Sequence, residues 1–284
     1  MTTIPTGSWR SSIGQVVTHG ATTARCNLRV LLLLILVRTS RAADHQADIL
    51  EESRLAAVRV GSSYGGWTFD LRLLNAGSIV YSVGIGTDMS FDLSLIKTIG
   101  CDVHAFDDTP ASNGWLRGLE RAGKLPAQFH WHRSLLSGKD EVISMRLPNG
   151  HGVSYSAESI GSARGFKRGS YPAQARRLGT IMASLNHSRI DLLKIDIEAS
   201  EFTIFNEMLL VSSSTPAVLR LPVCQLLLEF HSRLSPKGYE AKGDALVALQ
   251  SLGFTLLHNA IRHGADDAFL MNPRFCIRAR GVDL

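Results

Sequence analysis

The chain has 284 residues, of which 45% are hydrophobic and 19% are charged. This length and composition support one sizeable core with a short extra region, and they exclude a disordered chain. The formal charge of +5 comes entirely from residues 1–41, which contain five arginines and no Asp or Glu. Because the remaining body is neutral, the basic balance gives little support for nucleic-acid binding, and we expect no nucleic-acid partner.

An uninterrupted run of eight apolar residues spans positions 30–37, within this basic start. A run of this length cannot cross about 30 Å of hydrocarbon, which takes about 20 helical residues. The basic residues before it and Ser40-Arg41-Ala42, as a candidate cleavage site with small residues at its first and third positions, are typical of a secretory signal, whereas the Ser, Thr and Arg content also fits an organellar transit peptide. We predict that residues 1–42 form a targeting segment for the secretory pathway or secretion, with an organelle as the alternative destination. We expect membrane contact only through this segment, as a signal or an anchor.

Residues 43–77 have a mixed composition and are predicted to form a helical preamble. From residue 78 onward, short apolar runs alternate with segments of helical periodicity. Strands are predicted at 78–83, 102–106, 128–135, 190–195, 223–230, 254–258 and 268–271, and helices at 90–99 and 241–252. Because such alternation produces βαβ units, residues 78–284 are predicted to form one doubly wound α/β domain around a mostly parallel sheet.

One long polar segment interrupts this alternation, and the cysteines are a separate feature of the sequence. Residues 147–180 are rich in Gly, Ser and Arg, which predicts a solvated loop or, alternatively, a lid over an acidic or polyhydroxylated substrate. Cys101 and Cys224 lie beside apolar runs and are predicted to be buried as small hydrophobic residues. One disulfide stays compatible with a secreted protein.

Glycine and acidic residues follow the first two predicted strands of the domain. In an open α/β sheet, ligands bind outside the carboxyl ends of the strands. Gly84 and Gly86 follow the first strand, where glycine permits a tight turn and a close approach of ligand to backbone. Asp107 ends the second strand, where a carboxylate can accept hydrogen bonds from both hydroxyls of a ribose. Met89 stands where a dinucleotide site has its third glycine, so a nucleoside without phosphates fits better than a nicotinamide cofactor of an oxidoreductase.

The fourth predicted strand ends in a dense acidic motif. Residues 193–202 have the sequence LKIDIEASEF. This segment resembles the FkbM-type methyltransferases, whose hallmark is K-x-D-x-E-G-x-E. The segments 80–86, 103–107 and 225–231 are similar to a closer subgroup, the methyltransferase-like protein 24 group. The resemblance covers roughly residues 75–275 and is most specific at 192–202.

The resemblance implies a Rossmann-like class I methyltransferase fold, in which helices cover both faces of a seven-stranded, mostly parallel sheet. It also implies S-adenosylmethionine as the cofactor and methyl transfer to a hydroxyl oxygen of a small molecule or glycan, which would be the partner. Carried over residue by residue, cofactor contacts fall on Tyr81, Gly84, Gly86, Asp88, Asp107 and Asp196. The residues expected to orient or deprotonate the acceptor are Asp196, Glu198 and His231, with Glu201 and Glu229 in the same crevice.

Two positions depart from the family pattern. Ser82 stands where many class I enzymes have an acidic residue that helps to hold the cofactor's amino group. Ala199 replaces the glycine of the D-x-E-G motif, where its methyl group would narrow the turn or shift Glu198. These departures support the alternative function of a cofactor-binding pseudoenzyme or interaction module without turnover.

Structural explanations remain open for several of these residues. Asp196 and Glu198 could cap the following helix, since acidic side chains suit a helix N-terminus. His130 and His132 alternate along one strand and would share a face, as two metal ligands can. No third ligand is apparent beside them, so the sequence predicts no metal.

Overall fold

The computed structural model describes residues 43–149, 152, 154–157, 166–210, 221–262 and 265–279. The targeting segment predicted for residues 1–42 lies outside this range. Residues 46–284 group into one unit by their contacts, so most of the predicted preamble belongs with the α/β domain. Within the described ranges, no helix combines the length and the apolar character needed to span a bilayer.

Seven helices and thirteen strands are referred to below. The helices are α1 (43–56), α2 (Ser90–Ile99), α3 (Pro110–Arg121), α4 (Leu178–Ser184), α5 (Glu201–Leu210), α6 (Tyr239–Ser251) and α7 (Pro273–Ala279). The strands are β1 (Val58–Val60), β2 (Trp67–Phe69), β3 (Ile79–Val83), β4 (Asp102–Phe106), β5 (Phe129–His132), β6 (Leu135–Leu136), β7 (Glu141–Pro148), β8 (Ser156–Ala157), β9 (Phe166–Arg176), β10 (Ile190–Ile195), β11 (Val223–Phe230), β12 (Thr255–Arg262) and β13 (Ala265–Met271).

A seven-stranded sheet forms the centre of the domain, in the order β12-β13-β11-β10-β3-β4-β5. Strands β5, β4, β3, β10 and β11 run parallel, and β13 lies antiparallel to both of its neighbours. The predicted Rossmann-like α/β fold with a mostly parallel sheet is therefore confirmed. Chain order reverses between β3 and β10, so the carboxyl ends of these two strands flank the point where such sheets open a ligand crevice.

Alternating side chains of the central strands fill two separate cores. Leu192 belongs to the same core as Val80, whereas Leu193 belongs to the other core, with Tyr81 and Leu226. Successive residues of a strand point to opposite faces of the sheet, so both faces of the sheet are covered. This explains why all six residues of β10 are buried and why its sequence is almost continuously apolar.

The preamble prediction is only partly correct. Residues 43–56 form helix α1, but residues 58–60 and 67–69 form the antiparallel strand pair β1 and β2. Phe69 is fully buried against Phe91 of helix α2, with their ring centroids 5.8 Å apart. The apolar side chains of this segment therefore extend the core of the domain rather than forming a separate helical element.

The prediction of a solvated loop at 147–180 is wrong for its described part. Strands β7 and β9 pair antiparallel, and with β6 and β8 they form a four-stranded sheet inserted between β5 and β10. The predicted strand at 128–135 divides accordingly: β5 joins the central sheet and β6 joins the inserted one. The paired residues of β7 lie 18 to 34 positions earlier in the chain than those of β9, so the local composition gives no indication of a sheet.

The cysteines also differ from the prediction at one position. Cys224 of β11 forms a disulfide with Cys276 of α7, so it is not an unpaired buried residue. Cys101 is a buried free thiol, as predicted. The disulfide joins the central strand β11 to the last described helix.

A cluster of histidines lies on strands β4 and β5. Nδ1 of His104 lies 3.1 Å from Nε2 of His132, and the ring of His104 stacks on that of His130 at 4.9 Å. The hydroxyl of Tyr81 lies 2.8 Å from Nδ1 of His187, whose ring meets that of His104 edge to face. Burial lowers the pKa of His104 to about 4, and repulsion from His187, His132 and His130 adds to this effect.

The low pKa of His104 makes stability depend on pH. Between its folded pKa and the value of about 6.5 in the unfolded chain, only the unfolded chain binds the proton, so acidification favours unfolding. We expect the free energy of unfolding, measured with urea, to fall between about pH 7.5 and about pH 5. The variant His104→Gln should lose on the order of 1–2 kcal/mol of this pH dependence. His45→Gln, at an exposed position, is the matched control; an identical pH dependence in both variants would contradict the assignment.

Candidate active site

Two adjoining cavities lie at the carboxyl ends of β3, β4, β10 and β11. One, of about 780 Å³, is called the apolar cavity here, and the other, of about 860 Å³, is called the acidic cavity. Residues lining both are Tyr64, Ile85, Asp88, Ser154, Asp196 and Glu198. The two cavities therefore meet along a shared wall that contains two of the predicted catalytic carboxylates.

Gly84 sets the closest backbone contact of the site. Its φ is +78°, and a Cβ at this position would lie 1.7 Å from the carbonyl oxygen of Asp196. Only glycine allows the turn after β3 to pack this tightly against the end of β10. The predicted glycine turn is present, and Gly84 and Gly86 both line the apolar cavity.

Asp107 lines the apolar cavity but is engaged mainly with protein donors. Its Oδ2 accepts hydrogen bonds from the backbone amides of Ile85 and Gly86 and from the hydroxyl of Ser112, at 2.9, 3.1 and 2.8 Å. Its Oδ1 accepts one from the amide of Thr109 at 2.8 Å. Asp107 therefore fixes the shape of the glycine turn, and one lone pair of Oδ1 remains for a ligand.

The other predicted cofactor residues differ in their placement. Asp88 lines both cavities, where its carboxylate accepts from the hydroxyl of Ser62 at 2.7 Å and from the amide of Ser90 at 2.8 Å. Tyr81 lines neither cavity: its side chain is fully buried and packs on Phe106 and His187, and its contact with a cofactor stays a prediction. Its position on β3, two residues before the turn at Val83–Gly84, directs the side chain into the core.

The apolar cavity owes its wall to the inserted sheet, which sequence reasoning missed. Side chains of β6 and β7 line it together with Phe106 of β4: Leu135, Leu136, Ile143 and Met145. Tyr155 adds an aromatic ring beside β8. This surface gives the cavity an apolar part, and Asp196 and Glu198 contribute carboxylates to the same lining.

The acidic cavity brings the three predicted catalytic residues together. Nε2 of His231 lies 3.8 Å from Oδ1 of Asp196 and 3.4 Å from Oε2 of Glu198. Glu229, two residues before His231, places its Oε1 at 3.6 Å from the same nitrogen. On the other side of the ring, Nδ1 lies 3.1 Å from Oε1 of the fully buried Glu201. Asp196 and Glu198 thus face His231 across the cavity, and their catalytic roles stay predictions.

Crowding of the carboxylates changes their ionisation. Burial raises the pKa of Glu229 to about 8, and repulsion from Asp196 adds to the shift. Burial also raises the pKa of Glu198. For His231, burial alone would lower the pKa, but the charge of Glu201 and its hydrogen bond raise it well above the usual value.

Lys194 is a further member of the site that the sequence did not assign. Its Nζ donates a hydrogen bond to the carbonyl oxygen of Gly84, lies 3.9 Å from Oδ2 of Asp196 and sits 5.6 Å from the ring centre of Trp67. The side chain is almost completely buried. The sequence feature that could have predicted its place in the site is a lysine near the end of an apolar strand, two positions before an aspartate. It ties β10 to both the glycine turn and strand β2.

The turn between β10 and α5 has an uncommon backbone conformation. Glu198 and Ala199 have φ values of +53° and +78°, in the left-handed region that favours glycine. The hydroxyl of Ser156 in β8 donates to the carbonyl oxygen of Glu198 at 2.7 Å and holds this turn. Ala199 therefore keeps the conformation that a glycine would adopt, and Glu198 still reaches the acidic cavity.

The sheet order, the glycine turn and the acidic strand ends define a Rossmann-like fold of the class I methyltransferase type. Residues 82–256 match the model of the Methyltransferase FkbM domain, and the chain belongs to this family.

The chain is similar to curated relatives and to a solved structure that are named as methyltransferases. The chain is 28% identical over 166 residues to the probable methyltransferase-like protein 24 of Rattus norvegicus, and 27% identical over 167 residues to that of Homo sapiens. Each match covers 58% of this chain and 35% of the relative, so the matched region spans about a third of the length of these relatives. A crystal structure of a methyltransferase from Pyrococcus furiosus is similar with a TM-score of 0.33 and 13% identity, over 70% of this chain and 77% of that one.

The left-handed turn at Ala199 leads to a stability prediction. An alanine in the left-handed conformation costs about 1–2 kcal/mol, and Ala199→Gly removes this cost. The same substitution raises the conformational entropy of the unfolded chain and deletes a buried methyl group, and both effects oppose the gain. We expect the free energy of unfolding to stay unchanged or to rise by up to about 1 kcal/mol. Ala199→Val, which places a β-branched residue in the same conformation, should lower it by about 2 kcal/mol or more. Urea unfolding measures both; a large loss of stability in Ala199→Gly would show that the turn does not adopt this conformation.

Proposed function

We propose that the chain is an S-adenosylmethionine-dependent methyltransferase that acts on a hydroxyl oxygen of a small molecule or glycan. Family membership supports methyl transfer in general. The observation that supports this cofactor and this type of acceptor is the shared wall of the two cavities, because Asp196 and Glu198 line both of them. A cofactor in one cavity and an acceptor in the other would meet at these carboxylates.

The apolar cavity suits the proposed cofactor. Apolar side chains line much of it and a few carboxylates complete the lining, as is usual for small-molecule sites. Leu136 and Met145 offer an apolar surface for an adenine ring, and the remaining lone pair of Asp107 can accept from a ribose hydroxyl. Asp88, which lines the same cavity, provides negative charge that favours the positively charged amino and sulfonium groups.

The cofactor supplies an electrophilic methyl group on a sulfonium. The chain's own residues would bind the acceptor in line with the S–C bond and keep water out, which can contribute several kcal/mol. Asp196 or Glu198 would accept the proton of the acceptor hydroxyl as its oxygen takes the methyl group, leaving the cofactor as the neutral thioether. His231, oriented by Glu201, would hold these carboxylates in position.

The variant Asp196→Asn separates binding from chemistry. It keeps the size of the side chain and removes its charge. We expect kcat to fall by at least about tenfold, equivalent to about 1.4 kcal/mol of transition-state stabilisation, with cofactor affinity largely kept. Glu240→Gln, an exposed carboxylate at the start of α6, is the matched control and should leave turnover unchanged.

Two measurements decide the outcome. Calorimetry measures S-adenosylmethionine affinity, and formation of S-adenosylhomocysteine with a panel of glycans, small alcohols and peptides measures turnover. Absence of cofactor binding would reject the proposal. Binding without turnover on any acceptor would support a pseudoenzyme instead. If Asp196→Asn keeps normal turnover but melts several degrees lower, the acidic motif has a structural role and not a catalytic one.

We further propose that the chain works in the secretory pathway or outside the cell. The disulfide between Cys224 and Cys276 supports this, because disulfides persist in oxidising compartments and are rare in the cytosol. The signal-like pattern of residues 1–42 also supports it. An organelle reached by a transit peptide is the alternative destination.

Thiol labelling tests the compartment. In protein recovered from the secretory fraction or the medium, Cys224 and Cys276 should react with an alkylating reagent only after reduction. Cys101 should react after denaturation alone, because it is buried and free. Peptide mapping that finds Cys224 and Cys276 alkylated without reductant would contradict the proposal.

A further inference from the structure

The atoms around Nε2 of His231 are spaced like the ligands of a metal ion. One oxygen each from Asp196 and Glu198 and one nitrogen of His231 lie within 4.8 Å of one another. The separations of 3.4 and 3.8 Å from the imidazole nitrogen exceed those of ordinary hydrogen bonds between nitrogen and oxygen. Two ligands that bind one ion at about 2.1 Å are about 3.0–3.4 Å apart when they lie at octahedral or tetrahedral angles. The two separations from Nε2 are close to this range, and the widest separation in the set, at most 4.8 Å, would shorten as the three atoms close on one ion.

The second ring nitrogen of His231 is held as it is in metal sites. Metal-binding histidines usually give their other N–H to a carboxylate, which fixes the tautomer and the ring orientation. Nδ1 of His231 faces Oε1 of Glu201 at 3.1 Å, and the backbone amide of His231 donates to the same oxygen at 2.7 Å. Glu201 lies on α5, is fully buried, and does not itself line either cavity. The fixed ring therefore presents Nε2 to the acidic cavity.

Four carboxyl groups surround His231, those of Asp196, Glu198, Glu201 and Glu229. Lys194, 3.9 Å from Asp196, and the side chains of Arg233 and Arg262 also line the acidic cavity, but none of these cations lies beside Glu201 in the pairs described. The second oxygen of Glu201, Oε2, is buried and has no hydrogen-bond partner among the described residues. Buried carboxylates that lack full pairing are costly, and a bound cation is one way to compensate them.

We propose that Asp196, Glu198 and His231 bind one divalent first-row metal ion of the Mn²⁺ class. Two carboxylates and one imidazole suit such an ion, and the acidic cavity beside them gives it access to solvent and acceptor. Three protein ligands leave open positions, as in catalytic sites. This inference rests on the proposed function for its role: the ion would bind the acceptor hydroxyl and lower the pKa of that hydroxyl. The methyl transfer would proceed as proposed above, with the hydroxyl proton passing to the oxygen of Asp196 or Glu198 that does not bind the ion.

Titration with Mn²⁺ tests the site on the full chain, first stripped with EDTA. The electron paramagnetic resonance signal of free Mn²⁺ disappears on binding and gives affinity and stoichiometry without any need for activity. We expect one ion per chain, and at least about tenfold weaker binding in Asp196→Asn and His231→Gln. Glu201→Gln, which removes only the orienting carboxylate, should weaken binding by about 10–100-fold. Glu240→Gln should bind as the wild type does.

Several outcomes separate this proposal from the proposed function. Mn²⁺ should raise the melting temperature of the wild type but not of Asp196→Asn, whose half-exposed side chain makes misfolding a small concern. Failure of the wild type to bind Mn²⁺, or equal binding in all variants, would overturn the metal site. Full turnover in EDTA would overturn it while leaving the methyltransferase assignment intact. Mn²⁺ binding at one ion per chain without any binding of S-adenosylmethionine would support the metal site and reject the methyltransferase assignment.

Discussion

The contact between Gly84 and the backbone of Asp196 determines the geometry of the cleft. Because no side chain fits between them, the turn after β3 and the end of β10 meet at the point where chain order in the sheet reverses. Lys194 reinforces this contact from inside the domain, through its hydrogen bond to Gly84 and its position over Trp67. The apolar and acidic cavities lie on either side of this junction, so both depend on one tight backbone approach.

A second constraint is the charge gathered on the acidic side of the junction. Burial raises the pKa of Glu198 and of Glu229, and repulsion from Asp196 adds to both shifts; the groups stay together because the surrounding fold positions them. Glu201 orients His231 from within α5, and His231 in turn faces the carboxylates. In the functional interpretation, this arrangement provides groups that can accept a proton or bind a cation beside a ligand. A purely structural role would not need so many carboxylates beside an open cavity.

Sequence patterns predicted the central sheet well and the cavity walls poorly. Strand β10 and the glycine turn were found because their signals are local: continuous apolar residues, then a turn residue, then carboxylates. The inserted sheet was missed because strand β9 pairs with residues of β7 that lie 18 to 34 positions earlier, and the sequence of this region is rich in Gly, Ser and Arg. Similarly, the end of a strand indicates where Asp107 lies but not that four protein donors already bind it. Such competition between partners is decided by tertiary structure.

The inserted sheet also connects the two halves of the site. Its strands β6 and β7 form the apolar wall, while Ser156 of β8 holds the carbonyl of Glu198 in the left-handed turn. A displacement of this sheet would therefore change the apolar cavity and the position of Glu198 together. The departure of Ala199 from the family's glycine is tolerated in this setting, because the hydrogen bond from Ser156 helps to keep the turn in a conformation that alanine alone would disfavour. A side-chain contact from an insertion can thus maintain the position of Glu198, in a turn that the family motif secures with glycine.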